Sequence, residues 1–116
     1  MLVRSAAPTP VTRYISELQT CGGLRGTDIA NIADVSIATV SRWSRGSPAP
    51  PAERILADLH YVVTRREEHY SPPEIRSWLY APHPQLEGVR AIDAINAGDA
   101  EEVLRILTRL DARAYL

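Results

Sequence analysis

Apolar residues recur along this chain at spacings of three and four, a pattern that predicts helices over most of its length. Thr9 and Pro10 read as the N-cap and first helical residue of a helix whose inner face is Tyr14, Ile15 and Leu18, and Gly22 and Gly23 end it. The stretch before it, Met1 to Pro8, carries no period and reads as a frayed arm. From Thr27, placed to cap a helix, Ile29, Ala30 and Ala33 face inward. Asp34 and Val35 make a tight turn, and Ser36 caps a second helix that buries Val40 and Trp43 and stops at Gly46. After the Pro-rich break Ser47 to Pro51, the stripe Ile55, Leu56, Leu59, Val62 and Val63 predicts a long helix from Ala52 to about His69. It should run for about 18 residues, or about 27 Å.

The stretch from Ser71 to Gly88 separates two differently patterned halves and holds four of the nine prolines. Ser71, Pro72 and Glu74 form a Ser-x-x-Glu capping box with proline at the first helical position. Ile75, Trp78 and Leu79 give the short helix one apolar face, and Pro82 and Pro84 forbid its continuation, leaving a stiff, extended Pro-His-Pro corner. Leu86 and Gly88 then lead into a helix over Val89 to Asn96, stopped by Gly98. A second capping box, Asp99 to Glu102, opens a final helix with Val103, Leu104, Leu107, Leu110 and Ala114 on one side. Acids at its start and Arg109 and Arg113 near its end suit the helix dipole.

Composition narrows the class. At 116 residues, 45% apolar and 23% charged, the chain reads as one soluble domain or two small lobes sharing a core. No apolar run reaches membrane-spanning length and no signal peptide is legible, so no membrane association and a cytoplasmic location are expected. The single cysteine, Cys21, has no partner for a disulfide and reads as a small apolar residue near a helix end. His60, His69 and His83 lack metal-ligand spacing. No nucleophile–base arrangement, phosphate loop or apolar carboxylate pair is present, so neither an enzyme nor a cofactor is expected. A formal charge of -1 argues against a general polyanion binder. The charge is uneven, however. Residues 1–46 carry five Arg against three acids, whereas residues 71–116 carry five Arg against seven, so any nucleic acid should meet the N-terminal half.

The run Gly26 to Gly46 resembles the helix-turn-helix of Xre-type, lambda-repressor-like regulators, with Asp34 at the turn position that most such motifs fill with Gly. The resemblance implies that the second helix lies in a DNA major groove, presenting Ser36, Ile37, Ala38, Ser41, Arg42 and Arg45. Either arginine could pair with guanine, Ile37 or Ala38 could meet a thymine methyl, and Thr27 with its neighbouring amides would face a phosphate.

A second resemblance follows from Arg76-x-Trp78-Leu79, Pro82-x-Pro84-x-Leu86-x-Gly88, Ala94-Ile95, Gly98-Asp99 and Val103-x-x-x-Leu107. This series is similar to the toxin-binding domain of the Xre/MbcA/ParS antitoxins, with Ala91 where the family often has Pro. The resemblance implies an all-α protein in which a lambda-repressor-like bundle, residues 1–70, is joined by a long helix to a small helical toxin-binding lobe, residues 71–116. Its expected partner is a RES-type toxin that consumes NAD, met by Arg76, Trp78, Pro82, Pro84, Leu86, Arg113, Tyr115 and Leu116. In this reading Tyr115 takes an apolar or base-stacking pocket, and the Leu116 carboxylate meets arginines meant for the NAD pyrophosphate. A homodimer on a palindromic operator is expected as well, because two recognition helices must meet half-sites about 34 Å apart. Two other readings stay open: a stand-alone transcriptional repressor, and an adaptor whose helix-turn-helix no longer touches DNA.

Overall fold

The structure, a computed structural model, describes residues 10–49 and 51–114, and of residues 113 and 114 the backbone alone. The first helix, α1 (Pro10–Thr20), buries Val11, Ile15 and Leu18. Gly23, at φ 66°, turns the chain so that the Leu24 amide donates back to the Leu18 carbonyl at 3.2 Å. Helix α2 (Gly26–Ala33) follows. Its N-cap is Arg25 rather than Thr27, because the Asp28 carboxylate accepts the Arg25 amide at 2.7 Å and draws the helix start back to Gly26. Thr27 is thus an exposed residue of the first helical turn.

Asp34 adopts the left-handed conformation (φ 60°, ψ 49°) expected of the turn, and the Val35 amide reaches the Ala30 carbonyl at 2.9 Å. Ser36 then caps α3 (Ile37–Ser44), its Oγ accepting the Thr39 amide at 3.1 Å. Val40 and Trp43 are buried beneath this helix, as the pattern requires.

Helix α4 (Glu53–Glu67) is the central strut, packing against α1, and against the later helices α5 (Pro72–Tyr80), α6 (Ala91–Asn96) and α7 (Ala100–Ala114). Leu56, Leu59, Val62 and Val63 are at most 1% exposed, which puts its apolar stripe at the middle of the molecule. The helix is shorter at both ends than the expected span from Ala52 to His69. At its end the Arg66 carbonyl accepts amides from Glu68, His69 and Tyr70, tightening the last turn and closing the helix.

The capping box predicted at Ser71 is formed, with Glu74 Oε1 accepting the Ser71 amide at 2.8 Å. Beyond α5 the Pro-His-Pro corner is part of a small hairpin. The strands β1 (Pro82–His83) and β2 (Val89–Arg90) pair antiparallel, Pro82 opposite Arg90, across a 3-10 turn at Pro84–Leu86. Left-handed Glu87 (φ 57°) and Gly88 (φ 84°) reverse the chain there, so Val89 and Arg90 are strand and the penultimate helix starts at Ala91. Apart from this hairpin the described residues are helical or in connections, and the all-α expectation holds.

One apolar cluster runs from Val11 to Leu107, drawing Ile75, Leu79, Ile92, Ile95 and Val103 onto the same core as Leu18, Ile29 and Leu59. Among the described residues no helix is long and apolar enough to cross a membrane.

Candidate functional site

The surface made by α2, its turn and α3 collects every residue assigned above to DNA. Thr27, Ser36, Ile37, Ala38, Arg42 and Arg45 are exposed and Ser41 is half-exposed, while Val40 and Trp43 on the same helix are buried. Ile37, at the start of α3, is 57% exposed, more than any other large apolar side chain described. Both arginines are held along the helix. Arg42 Nη2 donates to Thr39 Oγ1 at 3.0 Å, Thr39 in turn bonds Ser36 Oγ at 2.9 Å, and Arg45 Nη1 donates to Ser41 Oγ at 2.7 Å. Both partners are neutral hydroxyls, and among the described residues neither guanidinium forms a salt bridge.

The second surface is built on α5 and the hairpin. Trp78 is half-buried against the core, with the His83 ring 4.6 Å from its own ring and the Arg66 guanidinium 4.9 Å above it. His83 is fixed there by a 2.9 Å hydrogen bond between Nε2 and the Trp78 carbonyl. Pro82 and Pro84 are exposed and Leu86 is half-buried. The backbone of Arg113 lies in the last turn of α7, whereas its side chain, Tyr115 and Leu116 lie outside the described residues.

Arg76 turns the other way, into the joint between the two surfaces. Its Nη2 and Nε donate to Asp28 Oδ1 and Oδ2 at 3.1 and 3.3 Å, and the Tyr80 hydroxyl donates to Oδ1. With the Arg25 amide, Asp28 accepts from both halves of the chain while remaining only 4% exposed. Burial by itself would raise the Asp28 pKa, but the Tyr80, Arg25 and Arg76 donors outweigh it and hold the carboxyl below its ordinary range. The same burial, and then the bond to Asp28, push the Tyr80 phenol up to about 12. A second tie crosses nearby, where Asn96 Nδ2 on α6 donates to the Ile32 carbonyl of α2.

Sequence reasoning gave Asp28 no role beyond its charge. The one available signal was its position three residues after Arg25, which marks a reciprocal cap but not the partners 48 and 52 residues away. Among the described residues no group of three or more His, Cys, Asp and Glu gathers as a metal site.

The fold therefore defines a helical protein on one apolar core, in which α3 exposes Arg42 and Arg45 and α5 is tied to α2 through the buried Asp28 carboxylate. No family model matches the chain. In sequence it is similar to the mycobacterial cidal antitoxin MbcA of Mycobacterium tuberculosis and of Mycobacterium bovis, 26% identical over 87 residues, covering 73% of this chain and 77% of theirs. It is also 28% identical over 81 residues, 70% of each chain, to the probable mycobacterial cidal antitoxin Rv3188 of Mycobacterium tuberculosis. In structure it resembles a chain of the Mycobacterium tuberculosis MbcT–MbcA toxin–antitoxin complex, with a TM-score of 0.75 at 24% identity over 86% of this chain and 92% of that one. This likeness establishes a shared fold.

Proposed function

We propose that this chain is the antitoxin of a toxin–antitoxin pair. The observation that carries the reading is the 87-residue similarity to cidal antitoxins: a stretch of that length is longer than residues 1–70 or 71–116 alone, so it includes parts of both. In this reading the C-terminal lobe binds and neutralises a RES-type toxin that consumes NAD, the toxin class implied by the motif from Arg76 to Leu107. Trp78, Pro82, Pro84 and Leu86, together with the tail at Arg113, Tyr115 and Leu116, supply the toxin contacts. Arg76 acts beneath them, positioning α5 through Asp28. A homodimer then places two copies of α3 on operator DNA and represses the operon. Arg42 and Arg45 are its positive contacts, Ile37 and Ala38 its apolar ones, and Ser36, Ser41 and Thr27 lie at the edges.

The test is co-expression with the neighbouring gene, reading growth, cellular NAD and co-purification. The expected result is that the neighbour alone depletes NAD and stops growth, and that this chain restores both and co-purifies with it. A neighbour that is harmless, or that is not retained by this chain, would overturn the reading. The DNA component is tested separately by operator binding against salt. Arg42→Ala and Arg45→Ala should each lower the slope of log K against log salt, by about 1 if the residue contacts a phosphate. Binding that does not respond to salt would leave α3 without a DNA role.

A further inference from the structure

Arg66, on the inner side of α4, is 5% exposed and is the most deeply buried cation described. Its neighbour Arg65 pairs with Asp111, and Arg54, Arg76, Arg90 and Arg105 each have an acid, but Arg66 makes no salt bridge among the described residues. Its Nε is buried without a hydrogen-bond partner among the described residues. What surrounds the guanidinium is aromatic, with the Tyr70 ring at 4.2 Å and the Trp78 ring at 4.9 Å. Ring faces attract a cation by electrostatics and offer no acceptor lone pair in the guanidinium plane, so the N–H edge keeps its unmet demand. Burying a charge in this state is unfavourable, and an apolar side chain of similar length would pack there without that penalty.

The same side chain lines an open groove of about 500 Å³ between the end of α4 and the outer face of α5, walled by Tyr70, Pro73, Ser77, Trp78 and Ala81. One acid, Glu74, stands at its rim. That carboxylate is already committed, accepting the Ser71 amide and hydroxyl at 2.8 and 2.9 Å, and these two bonds hold its pKa below the usual range. Glu74 is therefore anionic at neutral pH, and it opposes a doubly charged ligand about twice as strongly as a singly charged one.

We propose that this groove docks one aspartate or glutamate side chain of a partner protein. The carboxylate meets the part of the Arg66 guanidinium that lines the groove, and the apolar atoms beside it lie along Trp78 and Pro73. A carboxylate supplies the planar pair of acceptors that a guanidinium edge takes up, which the rings cannot. Tyr70, 42% exposed and beyond the end of α4, is the wall nearest the guanidinium, its ring 4.2 Å away. The inference does not depend on the antitoxin reading, since it assigns the chemistry of what binds and not the identity of the partner.

The test uses the whole chain and three probes: the capped peptide acetyl-Leu-Glu-Leu-amide, its glutamine counterpart, and inorganic phosphate. The readouts are the Arg66 Nε–H and Trp78 indole N–H resonances in proton–nitrogen correlation spectra. The glutamate peptide should move both resonances saturably, and at least about tenfold more tightly than the glutamine peptide, as expected for a charge-assisted bond at a partly desolvated site. Phosphate should bind more weakly than the glutamate peptide. Arg66→Met should keep the helical circular dichroism spectrum and a urea midpoint no lower than that of the native chain, and should lose the preference for glutamate. Equal responses to the two peptides, no saturable response, or tighter binding of phosphate would each overturn the proposal. So would an Arg66→Met chain that folds and retains the preference. If Arg66→Met does not fold, the comparison of peptides on the native chain still decides.

Discussion

The Tyr80 hydroxyl donates to Asp28 Oδ1 at 2.5 Å, joining the last turn of α5 to the first turn of α2 across 52 residues of sequence. Asp28 is thereby both the local cap of α2 and an acceptor that ties α5 to α2. Asp28→Asn removes the charge that Arg76 faces and should lower unfolding stability by about 2–4 kcal/mol. Tyr80→Phe removes one donor and leaves Arg76 and the Arg25 amide in place, so it should cost less, about 1–2 kcal/mol. Urea unfolding of both variants and of the double variant checks this, and the double variant should lose less than the sum of the two.

The same pair sets two limits on stability as pH changes. Tyr80 has its folded pKa raised from 10.0 to about 12, so its neutral form is favoured by folding. Its contribution is complete below pH 10 and is lost as pH climbs toward 12. Asp28 is shifted the other way, below its ordinary 3.8. Its contribution is present above that value and is lost as pH falls through the depressed folded value. Melting temperatures between pH 9 and pH 12 should therefore fall more steeply for the native chain than for Tyr80→Phe, and equal slopes would rule out this origin.

Asp34 holds a left-handed turn at the C-terminal end of α2, where a negative charge also opposes the helix dipole. Removing the charge while keeping a residue that tolerates this conformation should help. Asp34→Asn should raise stability by about 0.5 kcal/mol, with a gain that shrinks as salt is added. Asp34→Gly relieves the backbone as well but loosens the unfolded chain, so it should gain no more than about 1 kcal/mol. A loss of stability in both variants would mean that the Asp34 side chain stabilises the turn.

Gly23 and Gly98 both have positive φ, 66° and 90°, but only one is crowded. A Cβ on Gly23 would lie 2.7 Å from the Pro72 carbonyl oxygen, whereas one on Gly98 would meet nothing within 4 Å. Gly98→Ala should thus cost only the conformational penalty of about 1–2 kcal/mol. Gly23→Ala must also push the start of α5 away from the end of α1, and should cost at least about 1 kcal/mol more. Thermal melts of the two variants make the comparison, and equal costs would show that the contact with Pro72 yields freely.

The difference between Gly23 and Gly98 also shows where sequence reading stops. Both were legible as helix stops, just as the stripe Leu56, Leu59, Val62, Val63 was legible as a buried face and Ser36 and Ser71 as caps, because those properties depend on neighbours within about one helical turn. The contact of Gly23 with Pro72, the embrace of Asp28 by Arg76 and Tyr80, and the burial of Arg66 between two rings depend on residues brought together by packing. The exposure of Ser36, Ile37, Ala38, Arg42 and Arg45 was legible because they lie on one side of one short helix and its turn. The motif positions from Arg76 to Leu107 gave no hint that Arg76 faces Asp28.

The corner between α5 and α6 was expected to owe its shape to Pro82 and Pro84, and the structure adds His83 between them. Each proline is exposed and acts through the backbone, so Pro82→Ala and Pro84→Ala should cost about 0.5–1 kcal/mol apiece, chiefly by freeing the unfolded chain. His83 is half-buried, bonds the Trp78 carbonyl and packs on the Trp78 ring. Its carbonyl also accepts the Gly88 amide at 2.9 Å, closing the hairpin. His83→Ala keeps that backbone bond but loses the ring contact and the side-chain bond, and should cost about 1–2 kcal/mol, more than either proline. If the corner aims the C-terminal half at its partner, all three variants should weaken partner binding while the operator binding proposed for α3 stays near its native value. Parallel losses in both assays would make the corner a part of the common core with no directing role.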